Sequence, residues 1–214
     1  MSVSAWSLGH HPATTYHAAM AVGEIVGVAS AYLVGTFPTA QLVGRRAGHD
    51  PLLEGSGNPG ATNVYRTAGR TAGIVVLLGD AAKGALPTAV ALVLAGRWIA
   101  ALCWLAAVAG HVAPIVRRLR GGKGVATAAG GAAVLYPIAA IGLLVVFMVV
   151  VRRSRTPSLG SLAMAALLPG LVALTGHSRR EWFVALTVSA VVVARHRDNI
   201  GRLIAGTERR LPDS

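Results

Sequence analysis

The feature that most constrains this chain is a succession of apolar runs, each near the length needed to cross a lipid bilayer. They occupy about 20 to 43, 71 to 95, 98 to 116, 124 to 151, 158 to 175 and 181 to 195. A span takes roughly 20 mostly apolar residues. Inside hydrocarbon the backbone must satisfy its own hydrogen bonds, so the runs are expected as helices. With 54% of 214 residues hydrophobic and 13% charged, the chain carries more apolar surface than one soluble core would hide. The runs leave no room for a sizeable soluble domain.

The formal net charge is +12. Most of the arginines stand at the ends of the apolar runs: Arg45 and Arg46; Arg117, Arg118 and Arg120 with Lys123; Arg152, Arg153 and Arg155; Arg195, Arg197 and Arg202. Basic residues in these places hold loops in the cytoplasm. The basicity therefore reads as topology rather than nucleic-acid binding, with a smaller share left for anionic lipids or substrates. All four groups inside puts the N-terminus outside. Runs 71 to 95 and 98 to 116 go out and return, turning near Gly96 and Arg97. The run from 124 to 151 is basic at both flanks, and Gly130, Gly131 and Pro137 let it break near Tyr136 into two shorter helices. The expected fold is an all-α transmembrane bundle of about seven membrane-embedded helices with a cytoplasmic C-terminus. Its one departure from the charge rule is an external basic turn at His177 to Arg180.

Residues 1–17 hold no Lys or Arg and no clear cleavage site. They are expected as a poorly ordered extension, residues 18–208 as a single transmembrane domain and 209–214 as a tail. Cys103 is the sole cysteine and lies in an apolar run, so it reads as a lipid-facing or packing residue.

Two polar loops carry the chemistry. In the first, Gly55-Ser56-Gly57-Asn58-Pro59-Gly60-Ala61-Thr62-Asn63-Val64-Tyr65-Arg66, glycines let backbone N–H groups converge on an anion. Hydroxyl and amide donors lie beside them and Arg66 adds charge. In the second, Gly121-Gly122-Lys123-Gly124-Val125-Ala126-Thr127 follows three arginines and opens an apolar helix, so an ammonium and a helix N-terminus face one place. Of the twenty basic residues only Lys83 and Lys123 are lysines. A compact ammonium is thus expected at both. Asp80 and Lys83 lie three apart within a span and are expected to pair inside the bundle. His111 stands near the cytoplasmic end of its span, as a base or a packing residue. Ser158 and Ser161, and the tail from His196 to Asn199 and on to Glu208, fall on the same face as both loops. His49 and Glu54 form an H-x4-E pair that lacks the acid of the acyltransferase H-x4-D pattern. There is no metal-ligand cluster, dinucleotide fingerprint, P-loop or nucleophile triad.

Taken in order, Gly55 to Arg66, Asp80-Ala81-Ala82-Lys83-Gly84, Gly110-His111 with Pro114, Gly121 to Thr127, Ser158-Leu159-Gly160 and His196 to Asn199 resemble the bacterial acyl-phosphate:glycerol-3-phosphate acyltransferase family. The resemblance runs from about residue 20 to 210. It implies a bacterial cytoplasmic-membrane enzyme of phospholipid biosynthesis with its site on the cytoplasmic side. Acyl phosphate would donate a fatty acyl group to the 1-hydroxyl of glycerol 3-phosphate, without coenzyme A, acyl carrier protein, cofactor or metal. It also implies membrane lipids as surroundings and a functional link to the enzyme that forms acyl phosphate. On the family pattern Ser56, Arg66, Lys123 and His196 match catalytic positions. Gly55, Gly57, Asn58, Gly60, Thr62, Asn63, Gly121, Gly122, Gly124, Ser158 and Asn199 match substrate-binding ones. Glu208 matches a tail acid of structural character. The chain departs from the pattern at Leu52, where Arg is common, and at Pro157. His196, His111 or a substrate phosphate oxygen stands as the acceptor for the hydroxyl proton. A permease for an organic phosphate would use similar loops, and so would a scaffold that binds anionic lipids.

Overall fold

A computed structural model describes residues 12–211, with side chains described from residue 20 onward. Most of the expected N-terminal extension, 1–17, lies outside the described residues. Among the described residues every regular element is a helix, in the order α1 (Pro12–Gly35), α2 (Thr39–Arg46), α3 (Ala61–Ala68), α4 (Arg70–Val112), a short 3-10 turn (Ile115–Arg117), α5 (Val125–Leu135), α6 (Pro137–Ser154), α7 (Pro157–Leu174), α8 (Arg179–Arg195) and α9 (Arg197–Ile204). Among the described residues, four stretches are long and apolar enough to cross a membrane: Met20–Arg46, Arg70–Arg117, Pro137–Ser154 and Pro157–Leu174. Their outward faces carry leucine, valine and isoleucine, with Val93 84% and Ile138 77% exposed. Side chains so placed suit a lipid surround.

Helix α4 reverses at Gly96, whose φ of 80° and ψ of 178° are non-helical and suited to glycine. The reversal follows from contacts as well. A straight helix would hold Lys83 and His111 about 42 Å apart at 1.5 Å per residue, yet Lys83 Nζ lies 3.4 Å from His111 Nδ1. The arms, 70–95 and 97–112, therefore run antiparallel. The run from 124 to 151 breaks at Tyr136, where the ring of Pro137 starts a new helix.

One end of the bundle is tied by Arg97 at the tip of the α4 hairpin. Its guanidinium donates to Leu135 O at 3.1 Å and to Glu181 Oε1 at 2.7 Å. Glu181 and Ser178 cap the start of α8 reciprocally. At the other end, Tyr32 Oη donates to Ala113 O at 2.7 Å, and Arg195 Nη2 donates to Gly121 O at 2.9 Å. The four basic groups gather at this second end.

The core is built of small residues, so the helices meet backbone to backbone. A Cβ added at Gly84 would stand 1.9 Å from Thr127 O, and one at Gly130 2.0 Å from Ala81 O. The first arm of α4 thus lies directly on α5. Trp104, fully buried, fills the adjoining space and donates from its indole to Ala128 O at 3.0 Å. This tight seam sets the height at which Asp80, His111 and the loop before α5 meet.

Candidate active site

At the end where the basic groups gather, a cavity of about 230 Å³ opens among α3, α4, α5, α6, α7, α9 and the chain after α9. Its polar wall holds Ser56, Asn58, Gly60, Thr62, Asn63, Arg66, Lys123, Gly124, Ser158, His196 and Asn199. Its opposite wall is apolar, with Leu77, Leu144, Phe147 and Met164. Residues separated by as many as 143 positions, Ser56 to Asn199 by sequence order, thus face one space.

The first loop is shaped by Asn63. Its amide donates to Pro51 O at 2.9 Å and Glu54 O at 3.0 Å, and its Oδ1 accepts from Ser56 N at 2.8 Å. Gly57 N is engaged by Glu54 O and Gly60 N by Asn58 O. The backbone donors expected to cradle an anion here are thus largely spent within the loop. What the loop offers the cavity is the Ser56 hydroxyl, the Asn58 and Thr62 side chains and the N-terminus of α3. Gly55 and Gly57 do not line the cavity. They sit at φ of 61° and 68°, and a Cβ at Gly55 would strike Asn63 Oδ1 at 2.3 Å. Asn63 likewise acts chiefly as the loop's internal tie.

The second loop divides in the same way. Gly122 N donates to His111 O at 3.1 Å, and a Cβ at Gly121 would meet that oxygen at 2.1 Å. These two glycines let the loop lie flat on the end of α4, behind the cavity wall. Gly124, Val125 and Ala126 reach the cavity at the start of α5, where first-turn N–H groups have no helical partner. Lys123 lines the cavity and donates to Asn199 Oδ1. Burial is the main cause that lowers the Lys123 ammonium to a pKa of about 8, against the pull of Glu208.

Deeper in the bundle, where Asp80 and His111 also line the cavity, Lys83 Nζ lies 2.6 Å from Asp80 Oδ1 and donates to Phe37 O at 2.8 Å. The expected intrahelical pair is present and buried. An ammonium can only donate, so its contact with His111 Nδ1 makes that nitrogen an acceptor and leaves the proton on Nε2. His196 has the opposite tautomer, because Nδ1 lies 2.8 Å from Val192 O and must donate to it. Nε2 is then the acceptor, and burial lowers the imidazole to a pKa of about 4, so it stays neutral.

His49 and Glu54 pair at 2.8 Å within the loop after α2, away from the cavity lining. Among the described residues no group of three or more His, Cys, Asp or Glu side chains is placed to hold a metal.

The model of a known family, glycerol-3-phosphate acyltransferase, matches residues 25–206. The chain belongs to the glycerol-3-phosphate acyltransferase family. It is similar to glycerol-3-phosphate acyltransferases of Geobacter sulfurreducens (46% identical over 193 residues, 88% of this chain and 98% of that one) and Bordetella pertussis (45% over 190 residues, 85% and 88%). Among solved structures it is similar to the crystal structure of PlsY, an integral membrane glycerol 3-phosphate acyltransferase, in its glycerol 3-phosphate form. The TM-score is 0.86 at 33% identity, covering 89% of this chain and 96% of that one. The lysophosphatidic acid form gives 0.83 at 32% identity.

Three site residues of this glycerol-3-phosphate acyltransferase relative escape sequence reasoning: Arg202, the hub role of Glu208, and Arg209. After α9 the chain folds back through a Schellman turn, with Gly206 N on Leu203 O and Thr207 N on Arg202 O. The turn lays Glu208 against the cavity. Ser158 Oγ at 2.9 Å and Asn199 Nδ2 at 2.6 Å donate to its Oε1, and Arg202 Nε at 2.7 Å donates to Oε2. Burial opposes ionisation of this carboxyl, but those hydrogen bonds outweigh it and hold the group below its usual range. Gly206, at a φ of 68° that suits glycine, permits the turn.

Proposed function

We propose that this chain transfers a fatty acyl group from acyl phosphate to the 1-hydroxyl of glycerol 3-phosphate, forming lysophosphatidic acid and inorganic phosphate. The observation that carries the reading is the single cavity with one cationic, hydroxyl-rich wall and one apolar wall. Two phosphates suit the first and an acyl chain suits the second. The family and the PlsY likeness support glycerol 3-phosphate as acceptor. Acyl phosphate as donor rests on the ordered motifs.

Acyl phosphate already carries a good leaving group, so positioning and charge neutralisation are enough for catalysis. Ser56 and the α3 N-terminus hold the donor phosphate, while Arg66 and Lys123 hold the acceptor phosphate. Thr62, Ser158 and Asn199 fix the substrates between them. His196 Nε2 takes the proton as the hydroxyl oxygen bonds to the acyl carbon, and the bond from that carbon to the phosphate oxygen breaks. The free lone pair of Nε2 in the cavity favours His196 over His111, whose outward nitrogen bears the proton.

In this reading α1, the two arms of α4, α5, α6, α7 and α8 are seven membrane-embedded segments of one domain, with the N-terminus outside. The gathered arginines support a cavity that faces the cytoplasm of a bacterial cell. Water-borne acceptor then enters from the cytoplasm and the donor from the bilayer, supplied by an acyl-phosphate-forming enzyme.

The test is incubation of purified protein with palmitoyl phosphate and glycerol 3-phosphate. Lysophosphatidate and phosphate in equal amounts are expected. Acylation that proceeds only from a thioester donor would overturn the donor assignment.

A further inference from the structure

We infer that Arg209 is a substrate-binding residue, forming with Arg66 a cationic pair at the cavity mouth that captures the phosphate of glycerol 3-phosphate. The inference rests on the function proposed above. Arg209 lies beyond the last residue matched by the family model, 206, yet it lines the same cavity as Ser56 and Lys123.

Its position is fixed by the backbone on both sides. Thr207 N is bound to Arg202 O at 2.8 Å, Arg66 Nη2 donates to Arg209 O at 3.1 Å, and Leu211 N donates to Arg155 O at 2.8 Å. The segment therefore crosses the mouth as a strap, and the exposed Arg209 side chain stands on its water side. The neighbouring carboxylate does not neutralise it, because Glu208 is already engaged by Ser158, Asn199 and Arg202.

Charge balance gives the cluster a purpose. Arg202 is matched by Glu208, and Asp80 by Lys83. Arg66, Lys123 and Arg209 remain to face two phosphates of about −1.5 to −2 each. Arg66 is lowered from its usual value first by burial and then by the charge of Arg209, so the empty pair is mutually repulsive and an entering dianion relieves it. The two substrates arrive by different routes. An acyl phosphate is anchored by its chain against Leu144 and Phe147, whereas glycerol 3-phosphate comes through water. A cation at the wet mouth therefore serves the acceptor.

The experiment is steady-state kinetics of the wild type, Arg209→Ala and Arg209→Lys with both substrates varied. Arg209→Ala keeps the carbonyl that Arg66 uses and should melt as the wild type does. Its KM for glycerol 3-phosphate is expected to rise about fivefold to thirtyfold, the range of an exposed charge-assisted contact. The KM for palmitoyl phosphate and kcat should stay within about twofold, and Arg209→Lys should recover part of the loss. If Arg209→Ala folds poorly, Arg209→Gln, of similar reach and no charge, answers the same question. An unchanged KM for glycerol 3-phosphate, or a parallel rise in both KM values, overturns the inference while the reaction stands. Absence of lysophosphatidate from the wild type overturns the proposed function and this inference with it.

Discussion

The ammonium of Lys123 donates to the side-chain oxygen of Asn199, and the amide of Asn199 passes the connection to Glu208. One neutral amide thus stands between a half-buried cation and a half-buried anion. Replacing it by a carboxylate separates its roles. Asn199→Asp puts a negative charge beside Lys123 and is expected to raise the lysine pKa while repelling the acceptor phosphate. The KM for glycerol 3-phosphate should rise at least about tenfold, roughly the effect of 1.4 kcal/mol. Initial-rate kinetics at several acceptor concentrations check this.

The wild-type pH profile follows from the same lysine. Its pKa is lowered to about 8, so the charged form that holds phosphate is present below that pH and is lost as pH rises through it. The kcat/KM for glycerol 3-phosphate should fall above about pH 8. Residual activity of Lys123→Arg should lack that alkaline limb, because guanidinium does not titrate there. A profile flat to pH 10 would remove Lys123 from the acceptor site.

Ser56→Ala, Arg66→Ala and Lys123→Ala should each lower kcat/KM by about a hundredfold or more while leaving the purified protein folded, the usual range for preorganised donors. His196→Ala should act mainly on kcat, since it removes the proton acceptor. Near-normal turnover in the first three would refute their placement against the substrates.

The helix seam offers a stability prediction independent of chemistry. Gly84→Val would set its Cβ 1.9 Å from Thr127 O and force the first arm of α4 off α5. A loss of about 1–3 kcal/mol or more is expected from such overpacking. Thermal unfolding in detergent would register it, with activity falling in step because α5 carries the second loop.

How much of this was legible in the sequence depends on the scale of the cause. The break at Tyr136 and the reversal at Gly96 were readable because proline and glycine act on their own backbone. The Asp80 and Lys83 pair was readable because a helix brings residues three apart together. That Ser56, Lys123 and His196 share one face was readable from the basic groups at the span ends, and their roles at one site came from the ordered motifs, since no local rule joins positions so distant. The division of labour inside each glycine loop was not legible at all. That Asn63 holds Ser56 N, or that Gly122 N is spent on His111 O, depends on which backbone groups find partners across elements. Arg209 was assigned to a tail because nothing in its neighbours reports that Arg66 reaches for its carbonyl.

The central claim is that two phosphate-bearing substrates meet in one cavity at the basic end of the bundle and react there. Sealed vesicles carrying the protein in one known orientation and loaded with palmitoyl phosphate test it most directly, with labelled glycerol 3-phosphate added to the side bearing Lys123. The account predicts labelled lysophosphatidate in the membrane and no labelled glycerol 3-phosphate in the lumen. Label accumulating in the lumen without new lipid would contradict it and make the protein a permease.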